Sequence, residues 1–168
     1  MKQNRQQVFA EVFTEEVDAK DHARRFGVDV QLLCYLRNSA GPTDILDLTP
    51  EEAMDIYAEL WEELRCSDLQ AGVDSFVFDS AICCQPANVI RWLVMLAQEQ
   101  ELNNLPPQAV IEGLELFRRR RAKSDLRWAT LGPEWTNRCN RAKRRALRLI
   151  EREPVFGETV RKVLNAEA

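Results

Sequence analysis

Residues 75–84 read SFVFDSAICC. Nine of the ten fit a packed interior, and the tenth is Asp79, a carboxylate inside an apolar run. A segment this apolar has to be covered by other elements. A carboxylate taken out of water has to be paired, hydrogen-bonded or neutralised. The run is too short for its period to separate helix from strand. Its neighbours read as helices, so it is expected to be a buried helix. Arginine can hold a carboxylate bidentately, and Arg65, Arg91 and Arg138 are the candidate partners for Asp79, in a structural rather than a catalytic role.

The flanking sequence supplies the cover. Apolar residues at Val8, Phe9, Val12, Phe13 and Val17 recur at helical spacing over 3–17. A second helical face, Phe26, Val30, Leu33, Cys34 and Leu36, predicts a helix over about 22–37, interrupted by Gly27 near its start. NSAGPTD (38–44) is a loop by composition. LTPEEA (48–53) is the clearest local signal: Thr49 caps, Pro50 takes the first helical position and Glu52 completes a capping box. The helix that follows is expected to reach Leu64, with Ala53, Ile56, Tyr57, Leu60, Trp61 and Leu64 on one stripe. Pro86 opens a helix over 86–100 with Val89, Ile90, Leu93, Leu96 and Ala97 inward. NNLPP (103–107) is a turn, Pro107 begins a helix to about 127, LGPEW (131–135) starts another that ends before Pro154, and a short helix over 157–165 closes the chain.

The 168 residues suffice for one domain with a real core. No apolar stretch is long enough for a membrane span. The first residues carry no apolar signal region, so the chain is expected to be cytoplasmic as synthesised. Five cysteines (Cys34, Cys66, Cys83, Cys84, Cys139), odd in number and without a C-x-x-C pair, read as reduced thiols, with Cys83 and Cys84 as small core residues. His22 is the single histidine, which rules out a multi-histidine zinc site; no cofactor and no metal are expected. Charge is unevenly spread. Residues 1–117 carry 8 basic and 21 acidic side chains, net −13, and residues 118–152 carry 13 basic and 3 acidic, net +10. Arginines at this helical spacing face in all directions, so pairing with the acidic body is favoured over phosphate binding. Nucleic acid remains the lesser expectation.

The middle of the chain, LTPEEAMDIYAELWEELRCSDLQAGVDSFVFDSAICCQPANVIRWLVMLAQ, resembles glycoside hydrolase family 108. These are lysozyme-like muramidases of phages, prophages and bacterial secretion loci. The resemblance rests on Leu48, Thr49, Glu51, Glu52, Ala53, Ile56, Tyr57 and Trp61, then Arg65, Cys66, Leu69, Val77, Phe78, Asp79, Ala81 and Pro86. Downstream, Trp135, Arg138 and Ala142 in GPEWTNRCNRAKRRALRLI resemble a helix closing the family's peptidoglycan-binding-type region. The similarity covers about residues 26–150. It implies an all-α, lysozyme-like part over 1–102 merged with a helical C-terminal region over 103–168 in one compact domain.

The N-terminus departs from the family pattern. Counting back, Glu11 falls close to the family's proposed catalytic glutamate, but Val12, Phe13 and Thr14 stand in place of the Gly-Gly-Tyr that follows it in the family. The family's Asp-Pro-Gly-Gly-x-Thr stretch is replaced by VDAKDHARR (17–25), and its Asn-x-Gly-Pro by Cys83-Cys84-Gln85-Pro86. Glycosidic cleavage needs a carboxyl as general acid and a second as base or nucleophile. Glu11 is the candidate acid, and Asp18, Asp21 and Asp29 are the candidate second carboxylates. Side chains at the lost glycines close the space a sugar would need, and Glu11 also reads as an ordinary solvated helix position. Tyr57, Trp128 and Trp135 are candidate sugar contacts, though core filling is the commoner use of such residues. The resemblance therefore implies a degenerate, non-catalytic or altered protein that binds peptidoglycan or a phage or secretion partner. The alternative is an active muramidase cutting the β-1,4 glycan strand. The resemblance also implies non-Sec export to the periplasm or cell wall, or incorporation in a phage particle.

Overall fold

A computed structural model describes residues 2–17, 25–37, 45–97 and 102–152. The fold is all-α. In order, the helices are α1 (Lys2–Val17), α2 (Val30–Arg37), α3 (Pro50–Glu63), α4 (Val73–Cys84), α5 (Pro86–Leu96), α6 (Pro107–Lys123) and α7 (Trp128–Arg152). Short 3-10 turns lie at Ile45–Asp47, Cys66–Asp68 and Leu102–Asn104. The expected loop at 38–44 and the expected helix at 157–165 lie outside the described residues.

α4 is the axis of the molecule. Every residue from Val73 to Ile82 is buried, because α1, α5, α6 and α7 all pack on this helix. A helix apolar all round is stable only in such a position. Phe9 of α1 sits among Tyr57, Trp61 and Phe78, with ring centroids 5.7, 5.6 and 5.0 Å away. Gly72 allows α4 to meet α7 closely: its φ is +84°, and a β-carbon there would lie 2.4 Å from the Ala146 carbonyl oxygen.

The capping box forms as the sequence dictates. The Glu52 N–H donates to Thr49 Oγ1 at 3.2 Å, and the Thr49 N–H donates to Glu52 at 2.8 Å. The stripe from Ala53 to Leu64 is buried.

Two boundaries and one facing differ from expectation. The second helix starts at Val30, not near 22, because Phe26 and Gly27 take left-handed backbone and Arg25 bridges back to Val28. The last described helix starts at Trp128, before the LGPEW stretch, with Pro133 inside it. Pro133 lacks an N–H, but a helix tolerates that best close to its N-terminal end. On α5, Trp92 is buried while Ile90 is exposed, reversing the expected facing of Ile90.

Candidate functional site

Asp79 is fully buried and gripped from two helices. Arg118 of α6 donates to Oδ1 at 2.7 Å, and Arg145 of α7 donates to Oδ2 at 2.5 Å. Arg138, one of the three expected partners, stands 3.9 Å from Oδ1. The other two do not reach it. Arg65 is 81% exposed and pairs with Asp68 at 2.6 Å, and Arg91 faces solvent on α5. Burial alone would raise the Asp79 carboxyl, but the guanidiniums of Arg118, Arg138 and Arg145 outweigh it and hold the acid well below the usual carboxylate range.

The knot includes a thiol. Cys83 receives a hydrogen bond from Arg118 at 3.1 Å and donates to Asp79 at 3.7 Å. Burial pushes this thiol up to about 12, so it stays protonated and unreactive at neutral pH. Asp79 thus ties α4 to α6 and α7 through two guanidiniums, with the Cys83 thiol beside it.

Glu11 lies on a different face, where α1 meets α7. A shallow, open groove of about 400 Å³ is lined by Ala10, Glu11, Thr14, Glu15 and Arg148. Gln7 donates to Glu11 at 2.8 Å, and Arg145 and Arg148 approach it to 3.9 and 4.0 Å. Glu15, one turn on, is held by Arg145 at 3.1 Å and Arg141 at 3.5 Å. An amide and two guanidiniums thus stand around the Glu11 carboxyl. Beside it, Val12 is buried in the core and Phe13 stacks on Phe26 at 5.1 Å.

The remaining candidates have other engagements. Asp29 accepts the Leu32 N–H at 2.8 Å and so caps α2. Asp18 and Asp21 lie outside the described residues. Tyr57 is buried, and its hydroxyl donates to the Phe26 carbonyl at 2.8 Å, so it is a core residue and not a sugar contact. Trp128 and Trp135 are half-buried, 6.4 Å apart and tilted by 46°. Arg127 covers the Trp135 ring at 5.5 Å, and Gly132 gives the Trp128 ring room, since a β-carbon there would come within 2.9 Å of it. Among the described residues no group of three His, Cys, Asp or Glu side chains is placed to hold a metal ion.

An all-α bundle around one buried helix, with a glutamate facing a groove on its first helix, is thus the frame to compare. Residues 11–84 match the family described as Glycosyl hydrolase 108, and the match begins at Glu11. This is the same family that the middle segment resembles. The solved structure of Brucella abortus SagA is similar over nearly the whole length, with a TM-score of 0.75 and 25% identity, covering 91% of this chain and 98% of that one. No curated protein matches the sequence significantly.

Proposed function

We propose that this chain is an altered member of the peptidoglycan muramidase lineage, one that binds the glycan without cutting it. The observation that carries the reading is the setting of Glu11. Its carboxylate is shared among Gln7, Arg145 and Arg148, and Val12 and Phe13 stand where the family pattern has glycines. The second carboxylate on this face, Glu15, is spent on Arg141 and Arg145. What is left is a groove with two carboxylates, a hydroxyl and a guanidinium, a surface that suits hydrogen bonding to a polar glycan more than protonating it.

The competing reading is an active muramidase with Glu11 as acid, favoured by the groove beside that residue and by a family match that starts there. Sugar release and turbidity loss from purified peptidoglycan separate the two. The binding reading expects no release from either the wild type or Glu11→Gln, with the wild type co-sedimenting with the polymer. Release by the wild type that disappears in Glu11→Gln overturns it. A protein that neither cuts nor sediments directs the search to a phage or secretion partner instead.

A further inference from the structure

The turn between α6 and α7 has a construction that neither glycan binding nor the core explains. Residues 120–127 hold four cations, Arg120, Arg121, Lys123 and Arg127, and a single acid, Asp125. The turn is tightly pinned. The Asp125 N–H donates to the Ala122 carbonyl at 3.1 Å, and the Trp128 N–H donates to the Asp125 carbonyl at 3.0 Å. Ser124 Oγ donates to the Arg121 carbonyl at 2.8 Å, and the Arg127 N–H donates to Asp125 Oδ1 at 2.9 Å. Hydrogen bonds from Arg127 hold the Asp125 carboxyl down at about 2, so the pair stays charged. At the apex of this ordered turn Leu126 is fully exposed, at 101%. The half-buried Trp128 and Trp135 follow in the first turns of α7.

A single exposed leucine is unremarkable by itself. A fully exposed leucine in a hydrogen-bonded turn that carries four cations, with two indoles early in the next helix, is the arrangement of an interfacial anchor. Apolar groups at such a tip enter the boundary between headgroups and acyl chains, tryptophan lies at the level of the headgroups, and basic residues gather acidic lipids. Single-stranded nucleic acid fits less well. Phosphates would take the arginines, but bases need open ring faces; Arg127 covers Trp135, and Leu126 would stay in water. The tip is also remote from the Glu11 groove. Trp128 and Arg148 are twenty residues apart on one helix, about 30 Å at helical rise.

We infer that the α6–α7 turn docks on an anionic lipid surface, with Leu126 entering the bilayer boundary and Arg120, Arg121 and Lys123 holding acidic headgroups. Flotation of the full chain with vesicles tests this, comparing pure phosphatidylcholine with a mixture containing one third phosphatidylglycerol. Partition is expected only with the anionic vesicles, to weaken as salt is raised, and to fall roughly fivefold for each cation changed to glutamine. Leu126→Ser is expected to lose most of the partition and Leu126→Trp to increase it, with unchanged melting because Leu126 is fully exposed. Absence of partition overturns the inference, as does equal partition into neutral vesicles or a Leu126→Ser variant that binds like the wild type. Binding of a single-stranded oligonucleotide in place of vesicles overturns it in favour of nucleic acid.

Discussion

At the scale of single residues, Asp79 decides most. Its carboxylate neutralises guanidiniums that would otherwise be buried as uncompensated charge. Asp79→Asn keeps the shape and removes the charge, and is expected to cost about 3–5 kcal/mol, a fall of roughly 6–20 °C in melting temperature. The effect depends on pH in a fixed direction. The folded carboxyl lies well below its unfolded value of about 3.9, so between those values the unfolded chain binds more protons. The stabilisation is complete above about pH 5 and is lost as pH falls. The gap in melting temperature between wild type and Asp79→Asn is therefore expected to narrow below about pH 4; a constant gap down to pH 2 would contradict the ion-pair account. The need for an arginine partner was legible in the sequence, since an acid in SFVFDSAICC has few alternatives. Of the partners, Arg138 was found but Arg118 and Arg145 were missed. Both had a signal: Arg145 lies two turns from Arg138 on the same face, and Arg118 continues the apolar row Val110, Ile111 and Leu114 at helical spacing.

At the scale of elements, the junction of α4 and α5 stores strain. Gln85 has φ 71° and ψ 141°, a region that a residue with a side chain rarely occupies. It stands where the family pattern carries glycine before proline. Gln85→Gly is expected to relieve about 1 kcal/mol of that strain and raise the melting temperature by about 2–4 °C, despite losing the hydrogen bond from Gln85 to Gln31. A lower melting temperature would mean that this contact outweighs the strain. Helix α3 was legible because its start is written in local chemistry, a hydroxyl, a proline and a glutamate at fixed offsets. The start of α2 was not, because apolar spacing continues through Phe26 while the backbone turns left-handed there. The start of α7 was not because Pro133 looks like a first-turn residue and lies inside the helix. The site followed the same division. Glu11 was placed by motif position, but that it faces α7 cations depends on tertiary packing, which no local pattern encodes.

At the scale of the whole molecule, the basic segment is largely the internal counterpart of the acidic body. Arg118 and Arg145 reach Asp79, Arg141 and Arg145 reach Glu15, and Arg145 and Arg148 reach Glu11. Within the C-terminal part, Lys143 of α7 pairs with Glu115 of α6 at 2.7 Å, and Arg119 of α6 donates to Asn140 of α7 at 2.6 Å. The ties from α7 to Asp79, Glu11 and Glu15 are expected to make the two parts one cooperative unit. The full chain is expected to melt in a single transition, and a fragment ending at residue 102 to show none, because α4 would lose α6, α7 and both guanidiniums that bond Asp79. A folded, cooperatively melting fragment would show that the first part is a domain by itself. The tie between Asp79 and Arg145 spans 66 residues. At about 5–20 residues per second of synthesis, the acid leaves the ribosome roughly 3–13 s before the arginine that completes its cage. During that interval the nascent chain carries its most buried helix with an acid that has no finished place to go, so the native interior closes only once α7 has been made.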